Sequence, residues 1–101
     1  MFPAARIGDT TATGDSIIGP GVPTVLIGNL PAAVVGDNVA GPICNVKGNI
    51  TMGSFTVLIG NKPAARVTSL VVGVNQPPGP VPPVPIATTV IKGEFTVLIG
   101  G

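Results

Sequence analysis

The string TVLIG occurs three times in this chain, at 24–28, 56–60 and 96–100. A second string, PAA, occurs at 3–5, 31–33 and 63–65. Twice the two are joined at one spacing, as TVLIGNLPAA and TVLIGNKPAA. The phase is unusual: a PAA opens the sequence with no TVLIG before it, and the last TVLIG has no PAA after it. The shared frame is longer than five letters. IGPGVPTVLIG (18–28), ITMGSFTVLIG (50–60) and VIKGEFTVLIG (90–100) each carry Ile or Val, then Gly three places on, then Thr three places after that. Offsets of 32 and 40 residues place the variation between units in their connecting segments.

No stretch of ten residues combines helical periodicity with freedom from Gly and Pro. Val, Ile and Thr dominate the regular parts and turn residues punctuate them, which predicts short β-strands. Gly28-Asn29 and Gly60-Asn61 suit a tight turn that needs positive φ. Pro31 and Pro63 restrict the start of the return segment, and paired alanines permit close backbone approach. Each unit therefore reads as a strand-turn-strand corner. Three corners around a pseudo-threefold axis close only if the last TVLIG meets the first PAA, so Gly101 is expected beside Met1-Phe2-Pro3. The expected fold is all-β: one domain over 1–101, three quasi-equivalent short hairpin repeats, and adjacent termini.

Gly and Pro make up 27 of 101 residues, a level that without a period would read as low complexity. Nine residues are charged, for a net charge of +1. Arg6, Lys47, Lys62, Arg66 and Lys92 are scattered, which argues against a nucleic-acid partner. So sparsely charged a surface suits one that a protein partner covers. Every apolar run is cut by Gly or Pro well short of the ~18 residues of a membrane span. Arg6 and Asp9 leave no room for a secretory signal, so synthesis in the cytoplasm without a signal peptide is expected. The single cysteine, Cys44, fits a reducing compartment. There is no histidine, the carboxylates are Asp9, Asp15, Asp37 and Glu94, and no motif sets a nucleophile beside a base. An enzyme is not expected.

Period-2 alternation puts Val25, Val57 and Val97 on one face with Ile27, Ile59 and Ile99. Thr24, Thr56, Thr96 and Leu26, Leu58, Leu98 share the other. Both faces carry a large apolar residue, whereas a sheet with one solvated face is apolar on one side only. Either both faces are buried within the domain, or one docks onto another protein. A chain this short has little material for a second internal layer. That favours docking through the Thr/Leu face.

PAARIGD (3–9), PAAVVGD (31–37) and PAARVTS (63–69), interleaved with TVLIG-Asn-x-PAA, resemble the PAAR-repeat proteins across essentially the whole chain. The resemblance implies a small cone-shaped β-domain with threefold pseudo-symmetry. It implies a place on the tip of the trimeric β-helical spike of a contractile injection machine, a type VI secretion system or a contractile phage tail. One tip monomer would cap each spike trimer, sharpen it, and briefly touch the target membrane. A blunt β-helix leaves unpaired strand edges, and three similar corners could pair with all three by β-augmentation. The expected docking residues are Thr24, Leu26, Thr56, Leu58, Thr96 and Leu98. An alternative is an adaptor that carries a non-covalently bound effector. A fused toxin is not expected, because the sequence runs from PAAR to TVLIGG.

Members of this family usually follow PAAR with Gly-Asp-x-x-x-His-Gly and hold zinc near the apex. Here Thr13 stands in the histidine's place, and Lys47-Gly48 stands where a second His-Gly would fall. One Cys cannot complete a site that takes four N or S ligands, so no metal or other cofactor is expected, and Cys44 reads as a small buried apolar residue. The missing staple is expected to be replaced by Ile43, Val46, Val71, Val72 and Val74. The stretch QPPGPVPPVP (76–85) reads as a stiff polyproline connector, or as a ligand for a proline-recognising partner. Arg6 and Asp9 could brace a corner as an ion pair, as could Arg66 with a carboxylate elsewhere, or these charges are solvated. Gly8-Asp9 and Gly36-Asp37 are expected in turns.

Overall fold

The computed structural model describes residues 2–99 and all of their side chains except those of Phe95 and Thr96. Every element among the described residues is a β-strand: β1 (Phe2–Ala4), β2 (Ser16–Gly19), β3 (Val22–Ile27), β4 (Leu30–Ala32), β5 (Asn38–Ala40), β6 (Lys47–Ile50), β7 (Leu58–Ile59), β8 (Lys62–Pro63), β9 (Leu70–Asn75), β10 (Val84–Thr89) and β11 (Glu94–Ile99). All pairings between strands are antiparallel. The molecule measures 44 × 23 × 23 Å, elongated along one axis and equal across the other two.

The corners form as their turn residues require. β3 pairs with β4 and β7 with β8 as two-stranded sheets. Their turns carry consecutive positive φ, 57° and 68° at Gly28-Asn29 and 59° and 66° at Gly60-Asn61. That is the type I′ geometry whose twist matches a hairpin. The third corner is assembled from the two chain ends. β1 pairs with β11, placing Phe2 opposite Ile99 and Pro3 opposite Leu98. Met1 and Gly101, expected side by side, lie outside the described residues, but their near neighbours are partners.

The three PAA segments converge. The Ala5 N–H donates to the Ala65 carbonyl (3.0 Å), Ala33 to Ala5 (3.1 Å) and Ala65 to Ala33 (2.9 Å), a closed ring of three hydrogen bonds. Isolated bridges run in the same cyclic order, Ala4 with Arg66, Arg6 with Ala32 and Val34 with Ala64. Consecutive residues of an extended segment point opposite ways, so each alanine of a pair enters a different core. Ala5, Ala33 and Ala65 join Ile17, Val39, Ile50, Val71 and Val90. Ala4, Ala32 and Ala64 join Ile27 and Ile99, with Val57 and Ile59 packed against them. The PAA segments are the floor between two apolar layers, and all six alanines are fully enclosed.

Beyond the floor, each segment turns back through a repeated device. Asp9 N–H donates to the Arg6 carbonyl, Asp37 to Val34 and Ser69 to Arg66. In return the side chains of Asp9, Asp37 and Ser69 accept the N–H of Arg6, Val34 and Arg66 (2.8, 2.9 and 2.9 Å). Gly8 and Gly36 take positive φ of 96° and 97°, and in the third turn Thr68 takes 83°.

The connecting segments are more ordered than loops. They form a five-stranded sheet in the order β10-β9-β6-β5-β2. Its edges are joined by residues 10–12: Thr10 bridges Ser16 at the start of β2, and Thr11 bridges Val90 just after β10. The Ala12 N–H donates to the Thr89 carbonyl (2.9 Å) and Ile91 to Thr10 (3.0 Å). The result is a collar of three hairpins with no open edge on this side, which removes a template for aggregation.

Three expectations need correction. The expected two-face alternation along TVLIG holds in the middle unit, where Val57 and Ile59 pack against the core and Thr56 and Leu58 are exposed, but only in part in the other two, where register shifts fall between Val22 and Leu26 and between the residues opposite Pro3 and Ala4. Ile27 and Ile99 are buried, but Val25 and Val97 are each 37% exposed. Of the apolar residues expected to replace a staple, Val71 alone is buried; Val46 and Val72 are exposed, since alternation on β9 turns Val71 inward and Val72 out. The proline-rich stretch is a loop only at 76–83, because Val84 and Pro85 belong to β10 and pair with Asn75 and Val74.

Candidate functional site

The corner face can be followed residue by residue. Leu26 sits opposite Pro31, Leu58 opposite Pro63 and Leu98 opposite Pro3, so each leucine occupies one place in its corner. All three are exposed, at 59%, 62% and 49%. Thr24 and Thr56 are exposed as well, and the side chain of Thr96 lies outside the described residues. Neighbouring apolar groups widen the face: Phe55 is 80% exposed, with Leu30, Val25 and Val97 also exposed. Phe55 was not singled out from the sequence. It projects because the Ser54 hydroxyl accepts the N–H groups of Thr56 (3.2 Å) and Val57 (3.1 Å), a local turn that shortens β7. Among the described residues, each corner strand, β3, β7 and β11, is bonded in its sheet to one neighbour, which leaves the other edge for pairing.

Charged residues brace this face from behind. The Arg6 guanidinium contacts both Asp9 oxygens, at 3.2 and 3.0 Å, and reaches Glu94 on β11 at 3.2 Å. Asp9 is buried, so this is a structural fork and not a solvated pair. Arg66 finds no carboxylate among the described residues. It lies 4.4 Å over the Phe2 ring, a cation–π contact that ties the third turn to the first strand.

At the other end, inside the collar, is a buried polar cluster. Asp15 has no exposed surface and Cys44 is almost fully covered. Asp15 Oδ1 accepts the N–H groups of Ile43 and Cys44, both at 3.0 Å, and Oδ2 accepts the Thr13 hydroxyl at 2.5 Å. Thr13 Oγ1 lies 3.0 Å from Thr11 Oγ1. Burial alone would raise the Asp15 carboxyl, but its bonds from Thr13, Cys44 and Ile43 outweigh that and hold it below the ordinary carboxylate range. Burial, then contact with Asp15, pushes the Cys44 thiol up to about 11.

This donor set does not fit a zinc ion. The oxygens of Asp15 are engaged by protein hydrogens, and the sequence offers one Cys and no His toward a site that takes four N or S ligands. The turn geometry makes Thr13, Gly41 and Gly73 equivalent, each four residues beyond Asp9, Asp37 or Ser69. A Cβ on Gly41 would fall 2.5 Å from Asp15 Oδ1, and one on Gly73 would fall 2.6 Å from Cys44 Sγ. Backbone closes in at both places as well. The space in which two further ligands would begin is filled. No group of three or more His, Cys, Asp or Glu residues is gathered anywhere among the described residues.

No curated protein matches the chain as a relative. A family profile described as the PAAR motif matches residues 7–73 and 40–101, together most of the sequence. With TVLIG corners folded onto PAA segments at all three positions, the chain belongs to the PAAR-motif family.

Proposed function

We propose that this protein is the tip of the trimeric β-helical spike of a contractile injection machine, a phage tail or a type VI secretion system. One copy caps one spike trimer and tapers it to a point. The observation that carries this reading is the placement of Leu26, Leu58 and Leu98. Three large apolar side chains stand exposed at matching places in three corners, where a partner with three identical chains would meet each of them alike. Burial of such a set gives roughly 1.5–3 kcal/mol per side chain, and the open strand edges add backbone pairing. The role is mechanical: the chain works by shape and assembly, without catalysis.

The test replaces all three leucines with Glu and measures co-purification with the cognate spike. Because the leucines are exposed, the triple variant should keep its circular dichroism spectrum and its melting temperature within a few degrees while losing spike binding at least a hundredfold. Undiminished binding by the folded variant overturns the docking face.

A further inference from the structure

We infer that the collar is locked by a metal-free hydrogen-bonded plug centred on Asp15, in place of the zinc ion that the family resemblance implies. The inference concerns the isolated chain and does not depend on the docking reading.

The three hairpins of the collar end in residues 12–14, 41–46 and 76–83; ladder pairing runs up to Ser16–Ala40 and Lys47–Val74, with the Val46 N–H on the Val74 carbonyl at 3.2 Å, and other contacts must fix the rest of the three ends. A metal would do so by drawing ligands from more than one hairpin. Here the middle loop is held from both sides. From the first hairpin, Asp15 takes the N–H groups of Ile43 and Cys44. From the third, the Asn75 amide donates to the Ile43 carbonyl at 2.6 Å. Asn45 and Gln76 then exchange two bonds: the Gln76 N–H to Asn45 Oδ1 at 2.8 Å, and Asn45 Nδ2 to the Gln76 carbonyl at 3.2 Å. Gln76 Nε2 also reaches the Val81 carbonyl at 2.8 Å, closing the proline-rich loop on itself. Ile43 is therefore bonded to the first hairpin through its N–H and to the third through its carbonyl.

The packing shows that this plug occupies the interior and excludes an alternative filling. Gly41, Gly48 and Gly73 line it, and a Cβ on any of them would meet Asp15, Cys44 or adjoining backbone at 2.5–3.2 Å. A carboxylate that accepts three bonds in an enclosed site is satisfied as an anion. Removing it leaves the buried Cys44 N–H and the part-buried Ile43 N–H without this acceptor, the costly kind of loss.

The test uses the purified chain. Elemental analysis should find less than ~0.1 equivalent of zinc, and chelator should move the melting temperature by less than ~1 °C. Asp15→Ala should lower the melting temperature by ~10 °C or more and speed amide hydrogen exchange at Ile43 and Cys44 at least tenfold. If Asp15→Ala does not fold, Asp15→Asn decides. Its amide keeps one acceptor oxygen for the two N–H groups but cannot accept from Thr13, so a drop of ~3–8 °C is expected. Stoichiometric zinc, a chelator-induced fall of ~5 °C or more, or Asp15 variants that melt like the parent would each overturn the inference.

Discussion

Ala5, Ala33 and Ala65 show how little freedom single residues have here. Each is enclosed, and each both gives and receives a bond in the three-membered ring. A methyl group is what fits where three backbones meet, and close packing leaves no slack for more. Ala33→Val should cost about 1–3 kcal/mol by overpacking, and the same change at Ala5 or Ala65 should cost a similar amount, as read by urea unfolding. A much smaller cost at one position would mean that the ring is open there. The alanines were legible in the sequence as points of close approach. Asp15 was not, because its backbone partners lie 28 and 29 residues away and no spacing announces them. The left-handed turn position at Thr68 was equally hidden, since a β-branched residue at a φ of 83° runs against local preference.

Among the elements, the corners were readable and the collar was not. Gly-Asn before Leu-Pro or Lys-Pro prescribes a tight hairpin, and both such turns form with positive φ at Gly and Asn. Asn61→Ala should therefore destabilise by about 1 kcal/mol, because alanine tolerates the left-handed region less well, while Asn61→Gly should change stability by less than half of that. Unfolding midpoints of the two variants check the difference, and equal effects would argue against the turn. The collar escaped notice because its hairpins differ in length and hold little alternation. β2 and β6 each contain glycine, and β10 includes a proline. Those residues read as loop until the ladder partners on both sides are known. The exposed leucines were identified from sequence as one face, but the register shift that leaves Val25 and Val97 half outside depends on pairing that local pattern does not encode.

At the scale of the whole molecule, closure replaces size. The chain joins its two ends in one corner and its two sheet edges in one collar, so the edges left to meet a partner are those of the two-stranded corners. It does so with four carboxylates and no histidine, which makes its response to pH unusually simple. Nothing of the histidine type titrates between pH 5 and 8, and stability should be flat there. Asp15 is held below its unfolded value, so its contribution is present above the unfolded carboxylate range and is lost as pH falls through that range toward the folded value. Cys44 has the opposite sign. Its thiol is raised from 9.0 to about 11, so the stability gained by keeping it neutral is complete below pH 9 and disappears between about 9 and 11. On linkage grounds the alkaline loss is on the order of 2 kcal/mol. Cys44→Ala should lower stability at pH 7 through lost packing, yet remove this alkaline decline, while Asp15→Asn should flatten the acid limb. Denaturation midpoints from pH 3 to 10.5 for the parent and both variants separate the two limbs. An alkaline decline that persists undiminished in Cys44→Ala would place its origin away from the plug.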